Sequence, residues 1–233
     1  MNVHVLVPAA GSGSRIGGDT RKQYLELGDQ PVLVQTLLRL AAHPQITFIH
    51  LIVPESDVAF CQTELVDRYR LEKIGGVITG GAERQDSVRK GLEACGAESQ
   101  DVILVHDGVR PFFPQEQIGP LVQLASIEGA ALLAIPVQDT IKEVFDGRVR
   151  STLDRSLLWQ VQTPQAFRCE RIREAHQRAY ANGYLGTDDA SLIEWCGWPV
   201  AVLPGQPHNI KITTPADLAL ARALLLTGEV SLT

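Results

Sequence analysis

A short apolar run that empties into a cluster of glycines narrows the choice of folds sharply. Val3 to Val7 is rich in β-branched residues and has the length of a buried strand. Directly behind it, Pro8 to Lys22 reads P-A-A-G-S-G-S-R-I-G-G-D-T-R-K, with Gly11, Gly13, Gly17 and Gly18 close together. Without a Cβ, glycine lets the backbone turn tightly and approach a ligand. A glycine turn after a strand is a common way of aiming backbone N–H groups at phosphate oxygens. Arg15, Arg21 and Lys22 add cations to the same stretch of a chain whose net charge is −6, so they are not by-products of a basic protein. A polyphosphate ligand accounts for both features, although a solvated basic turn would also produce them. Neither familiar glycine loop is present. The dinucleotide fingerprint needs a third glycine where Ile16 stands, and a P-loop read from Gly13 needs lysine where Asp19 stands.

The 233 residues can bury a substantial core, and 45% hydrophobic with 21% charged residues is ordinary for a globular domain. No apolar run approaches the roughly 20 residues of a membrane helix, so no membrane association is expected. No signal-peptide pattern opens the sequence, which points to a cytoplasmic protein. The acidic balance argues against nucleic-acid binding. Cys61, Cys95, Cys169 and Cys196 form no C-x-x-C pair, so they read as reduced, small hydrophobes and not as a zinc site.

Apolar strand candidates at Val3–Val7, Ile46–Val53, Gly76–Thr79, Val102–His106, Ala131–Val137 and Pro199–Leu203 alternate with helical patterns at Val32–Ala42, Glu55–Tyr69, Arg84–Cys95, Gln115–Glu128 and Ala216–Leu226. The alternation predicts an α/β fold: a Rossmann-like, mainly parallel sheet with helices on both faces, as one domain over 1–233. Ligands of such sheets bind beyond the carboxyl ends of the strands. After the third strand come Gly80, Gly81 and Ala82, then Ser87, which either contacts a ligand or caps the next helix. After the fourth come His106, Asp107 and Arg110. A carboxylate there, facing a phosphate loop, suits Mg²⁺, and Arg110 suits a second phosphate, unless the two form a structural pair.

Residues 138–160 break the rhythm. Asp146-Gly147 is a strong hairpin signal between Lys142–Phe145 and Val149–Leu153. A two-stranded hairpin is marginal in isolation, so this projecting β-arm, with Asp139, Thr140 and Arg155 at its base, suggests a partner subunit. Further on, Thr187 precedes a capped helix, and Asn209–Thr213 reads as a short strand carrying Lys211.

Together the segments P-A-A-G-S-G-S-R with K-Q-Y, G-G-A-E-R-Q-D-S-V, H-D-G-V-R-P, D-T-I-K, T-L-D-R, Q-T-P-Q-A-F, T-D-D-A-S and N-I-K-I-T resemble the 2-C-methyl-D-erythritol 4-phosphate cytidylyltransferase family, in order and spacing. The resemblance implies a nucleotidyltransferase that binds CTP with Mg²⁺ and joins it to a sugar-alcohol phosphate by in-line attack on the α-phosphorus. It implies that Arg15 and Lys22 stabilise the charged transition state. Ala9, Ala10, Gly11 and Gly13 would cradle CTP, and Gly81, Ala82 and Ser87 would contact base and ribose. Asp107 would stand next to the metal. Arg110, Thr187 and Lys211 would line the phosphosugar side. Thr140 and Arg155 would reach a neighbour's site across a homodimer built through the arm. Ala82 stands where some members carry an acidic residue, and Gly108-Val109 replaces alanines often found there. Neither change removes a side chain with an implied chemical role.

Three other readings compete. A pentitol-phosphate cytidylyltransferase, for instance one using ribitol 5-phosphate, would share the CTP half. A non-catalytic nucleotide-binding regulator would not need Arg15, Lys22 and Asp107 together. A nicotinamide-dependent dehydrogenase is disfavoured by Ile16.

Overall fold

The structure, a computed structural model, describes residues 1–11 and 22–232, with Lys22 described by its backbone. Along the chain, β1 (Val3–Pro8) is followed by a two-residue ladder of β2 (Glu26–Leu27) and β3 (Gln30–Pro31), then α1 (Val32–Ala42) and β4 (Phe48–Val53). Helical turns of mixed pitch over Glu55–Asp67 include α2 (Val58–Phe60). Next come β5 (Ile74–Thr79), α3 (Arg84–Ala94), β6 (Val102–Val105), α4 (Ile118–Glu128) and β7 (Ala130–Pro136). The arm is β8 (Lys142–Phe145) and β9 (Arg148–Thr152). The chain closes with β10 (Trp159–Arg168), α5 (Cys169–Ala181), α6 (Asp189–Trp195), β11 (Ala201–Pro204) and α7 (Pro215–Thr227).

The main sheet runs β11-β7-β10-β6-β1-β4-β5. All its pairings are parallel except those of β10, which lies antiparallel between β6 and β7. The mainly parallel sheet expected from the alternation is therefore present, with one reversed strand near its centre. Successive side chains of a strand point to opposite faces. Val3, Val5 and Val7 accordingly join a core with Leu37, Leu51, Phe113 and Leu133 under α1 and α4. Leu6 joins Ile52, Val88, Phe167, Ile172 and Leu192 under α3, α5 and α6. Burial on both faces explains why these strands read as continuous apolar runs.

Three expectations need correction. Strand β10 was not among the expected strands. Pro164 sits inside it with the polar Gln162, Thr163 and Gln165, and proline normally argues against a central strand. Here the ladder shifts register between Gln162 and Gln165, so Pro164 falls in an irregularity. Asn209–Thr213, expected as a strand, pairs in no ladder of the described residues. Its Ile212 N–H donates to the Val109 carbonyl at 3.0 Å, and Ile212 is buried with Val109, Phe112 and Leu218 in a small third core beneath α7. His106 lies one residue beyond β6 and not within it.

The arm closes as its sequence requires. Asp146 and Gly147 have φ of +48° and +69°, the left-handed pair of a type I′ turn. Phe145 and Leu157 are 75% and 78% exposed, and Val144, Val149 and Trp159 also face out. No helix among the described residues is long and apolar enough to cross a membrane.

Candidate active site

The carboxyl ends of β1, β5 and β6 converge on two adjoining clefts. The first, of about 150 Å³, is lined by Ala9, Ala10, Gly11, Gly81, Ala82 and Ser87. The second, of about 300 Å³, is lined by Arg110, Gln165, Thr187 and Asp188. Arg84, Asp107 and Lys211 belong to both walls, so the clefts meet at these three side chains.

The backbone of the first cleft is pinned from several sides. The Ala9 N–H donates to the Ile52 carbonyl at 2.7 Å, and the buried Gln23 amide donates to the Ala9 carbonyl at 2.9 Å. The Ser87 hydroxyl accepts from the Gly81 N–H at 3.0 Å and donates to the Glu83 carbonyl at 3.1 Å. Ser87 thus ties down the Gly80–Glu83 turn as well as lining the cleft. A Cβ on Gly81 would collide with the Cβ of Asp86, so the turn admits only glycine there.

Asp107 is nearly buried, and its amide donates to the Thr163 hydroxyl at 3.0 Å. That hydroxyl lies 3.1 Å from His106 Nδ1, and His106 Nε2 lies 3.1 Å from the Arg110 carbonyl. A carbonyl can only accept, so the proton sits on Nε2, and Nδ1 accepts from Thr163. Burial pushes His106 down to about 4, which keeps the ring neutral. The Asp107 carboxylate faces three cations: Lys211 Nζ at 2.9 Å, Arg110 Nε at 3.4 Å and Arg84 Nε at 3.6 Å. Burial would raise its pKa, but Arg84, Lys211 and Arg110 overcome that and hold it well below the usual carboxylate range.

Each cation is held from behind. Arg110 donates to the Asn209 carbonyl at 2.6 Å, and the Asn209 amide donates to the Thr163 carbonyl at 2.8 Å. Arg84 donates to buried Asp189 at 2.7 Å, and Asp189 receives His176 Nε2 at 3.1 Å. Burial disfavours the Arg84 charge, but Asp189 and Asp107 more than offset that. Lys211 is presented because its neighbour Ile212 is anchored in the third core. In the second cleft, Gln165 donates to Asp188 at 2.6 Å, and Asp188 caps α6 by accepting from Ser191 N–H at 2.9 Å.

The structure therefore gathers Ala9, Ala10, Gly11, Gly81, Ala82, Ser87, Asp107, Arg110, Thr187 and Lys211 around one junction. Gly13 and Arg15 lie outside the described residues, as does the Lys22 side chain. Thr140 and Arg155 line neither cleft of their own chain. They sit exposed at the base of the arm, where Arg155 donates to the Gln138 carbonyl at 2.6 Å. Sequence reasoning assigned no role to Arg84, Asp189, Asn209, Thr163 or Gln23. One signal was available for Arg84. It opens helix α3, where the helix dipole disfavours a cation, so its presence there implies buried anionic partners.

The described residues contain no group of three or more His, Cys, Asp or Glu side chains able to hold a metal. Glu83 and Asp107 are the carboxylates of the first cleft, and Asp107 already has cations at both oxygens. Mg²⁺ binds through one or two carboxylates together with substrate phosphates and waters. The donor set fits such an ion when a polyphosphate supplies the remaining oxygens and Lys211 yields its place on Asp107.

Backbone at the carboxyl end of β1, Ala9 to Gly11, sharing a cleft with Arg84, Asp107 and Lys211, is an arrangement suited to a nucleotidyltransferase. The model of the family described as IspD, 2-C-methyl-D-erythritol 4-phosphate cytidylyltransferase, matches residues 3–227. The chain belongs to that family. A curated 2-C-methyl-D-erythritol 4-phosphate cytidylyltransferase of Syntrophotalea carbinolica is 54% identical over 225 residues, 97% of either chain. The crystal structure of 4-diphosphocytidyl-2C-methyl-D-erythritol synthase from Anaerococcus prevotii superposes with a TM-score of 0.84 at 30% identity, covering 97% of this chain and 96% of that one. The Francisella tularensis 2-C-methyl-D-erythritol 4-phosphate cytidylyltransferase superposes at 0.83 with 31% identity, covering 96% and 99%.

Proposed function

We infer that this chain joins CTP to 2-C-methyl-D-erythritol 4-phosphate, giving 4-diphosphocytidyl-2-C-methyl-D-erythritol and pyrophosphate. The observation that carries the reading is the pair of clefts meeting at Arg84, Asp107 and Lys211: one is walled by backbone suited to a nucleotide, the other by Arg110 and Thr187. A phosphate oxygen of the sugar phosphate forms the new bond to the α-phosphorus, and the α–β bridging bond breaks as pyrophosphate leaves. Both reactants are anions, so positioning and charge neutralisation matter more than acid–base chemistry.

In this reading Arg15, Lys22 and the N–H groups near Ala9, Ala10, Gly11 and Gly13 take the triphosphate. Gly81, Ala82 and Ser87 take base and ribose. Arg110 and Lys211 turn from Asp107 toward the incoming phosphates, with Thr187 lining the sugar side. Asp107, held ionised by the cations around it, would offer one oxygen to Mg²⁺. The ion, when bound, screens charge on the phosphates. The exposed apolar arm over 138–160 supports a homodimer in which Thr140 and Arg155 complete the neighbour's second cleft. The single domain acts in the cytoplasm, without nucleic acid or membrane.

The test is pyrophosphate release from CTP with 2-C-methyl-D-erythritol 4-phosphate and, separately, ribitol 5-phosphate. Release with the first, at a kcat/KM at least a hundredfold above the second, is expected. Equal or reversed preference assigns the second cleft to a pentitol phosphate, and release with neither removes the catalytic reading.

A further inference from the structure

Of the three side chains where the two clefts meet, Arg84 is fastened differently from Lys211. Its guanidinium spans two carboxylates: Nε faces Asp107 Oδ1 at 3.6 Å, and Nη1 donates to Asp189 Oδ2 at 2.7 Å. Asp189 lines neither cleft. It is 1% exposed at the start of α6 and also meets His176 Nε2 at 3.1 Å. The stretch before it is tied to α3 a second time, by the residue next to Arg84. The Gln85 amide donates to the Tyr184 carbonyl at 2.9 Å, and its oxygen accepts from the Gly186 N–H at 2.9 Å. On the far side, the oxygen of buried Gln165 accepts from the Ala190 N–H at 3.2 Å. A hydrogen bond between ions is roughly twice as strong as a neutral one, and breaking a buried pair strands a charge. Arg84 is therefore fixed from behind.

The other two cations lack an anchor of that kind. Lys211 is 41% exposed and belongs to a segment that pairs in no ladder of the described residues. Arg110 has the neutral Asn209 carbonyl as its second partner. Both make their closest approach to Asp107 at Oδ2, whereas Arg84 approaches Oδ1. Phosphates that draw Lys211 and Arg110 away would thus strip Oδ2 and leave Oδ1 with its partner. A carboxylate that must stay in place while charge moves beside it needs a support that does not reorganise during the reaction. We propose that Arg84 is a positioning residue of the transfer reaction: anchored on Asp189, it keeps the Asp107 carboxylate at the junction while Lys211 and Arg110 turn to the phosphates. This role rests on the transferase reading above. It needs a planar fork whose separate nitrogens serve separate carboxylates, which the single nitrogen of lysine cannot do.

Two measurements on the full chain test it. Without substrate or metal, urea unfolding is followed for Arg84→Met, Asp107→Asn and the double variant. If Arg84 holds Asp107, the double variant's unfolding constant should lie at least fivefold below the value that independent effects would give. Effects that simply multiply would overturn the proposal whatever the chain catalyses. Turnover of CTP with 2-C-methyl-D-erythritol 4-phosphate is then measured for Arg84→Lys, Asp189→Asn and their combination, each at a temperature where circular dichroism shows it folded. Arg84→Lys should lower kcat at least tenfold and leave both KM values within threefold. Asp189→Asn, which alters no residue of either cleft, should lower kcat at least fivefold. The combination should fall no more than twofold below Arg84→Lys alone. Unchanged kcat in Arg84→Lys would reduce Arg84 to a tie between α3 and α6 and overturn the positioning role. Raised KM with unchanged kcat would overturn it by placing Arg84 on the substrate, and kcat losses that multiply would overturn the anchoring through Asp189. A parent that releases no pyrophosphate would remove the functional reading and this role together, whereas an active parent with indifferent variants would remove this role alone.

Discussion

Asp107→Asn keeps the side chain's shape and removes its charge. In the parent that charge faces Lys211 at 2.9 Å, Arg110 at 3.4 Å and Arg84 at 3.6 Å. The three losses are not equal. The Lys211 side chain is 41% exposed, so water replaces most of what it loses. Arg84 keeps Asp189. Arg110 is 12% exposed and retains a neutral carbonyl as its remaining partner, so the cost concentrates there. Breaking a buried ion pair costs about 3–5 kcal/mol, and the surviving Asn209 contact places this case near 3 kcal/mol. For a chain of this size that is a fall in Tm of about 6–12 °C. Because the folded pKa of Asp107 is depressed, its stabilisation is present above the unfolded value of about 3.9 and is lost as pH falls through the folded one. The deficit of Asp107→Asn should therefore be complete at pH 7 and shrink below about pH 4. Urea denaturation of parent and variant at pH 7, 5 and 3.5 measures it. A deficit under about 1 kcal/mol at pH 7, or one that grows toward acid, would refute the idea that Asp107 restrains these cations and Arg110 above all.

Other outcomes follow from the same geometry. Arg15→Ala and Lys22→Ala should each lower kcat by roughly 10²–10³-fold, as for other donors that meet developing charge, with CTP affinity changed far less. Near-normal turnover at saturating substrates would remove the assignment. Arg155→Ala should raise the KM for the sugar phosphate and leave that for CTP within twofold. Mixed with Lys22→Ala under subunit exchange, it should recover roughly a quarter of parent activity, because half the dimers are mixed and half their sites intact. No recovery despite proven exchange would return Arg155 to its own subunit. Burial depresses both His106 and His50 to about 4, so folded chains resist protonation that unfolded ones accept. Stability should fall from about pH 6.5 toward pH 4, by up to about 1.4 kcal/mol per pH unit for each ring. His50→Gln should flatten that slope measurably in denaturation at pH 7, 6 and 5, and an unchanged slope would remove His50 from it.

The strands and the loops after them were legible because they obey local rules. Apolar runs with no polar face mark buried parallel strands, and glycine marks the turns that follow. That logic found Gly81, Asp107 and Arg110 and the junction they share. It missed β10, where Pro164 and three polar side chains hide a central strand that owes its place to pairing with β6 and β7. It also mistook Asn209–Thr213 for a strand, since Ile210 and Ile212 alternate as strand residues do yet pack into the small core beneath α7, Ile212 fully and Ile210 partly, and not against a neighbouring strand. The supports of the site were invisible for a different reason. Arg84 meets Asp189 across 105 positions of sequence, and Asn209 meets Thr163 across 46. A pairing at that separation leaves no trace in a local pattern, beyond the odd placement of a cation at a helix start.

Strands β7 and β10 are antiparallel neighbours, a geometry that a two-residue turn would satisfy. Everything between Pro136 and Trp159 is therefore surplus to the sheet, and lengthening or shortening it changes no register inside the core. Thr163, which holds the Asp107 amide, is fixed instead by the ladder pairs on either side of it, at Gln162 and Gln165. The chain thus carries two tolerances to insertion a short distance apart. Residues added between Pro136 and Trp159 leave the sheet pairing of β7 and β10 as it is, while a residue added beside Thr163 would displace the hydroxyl that holds the Asp107 amide.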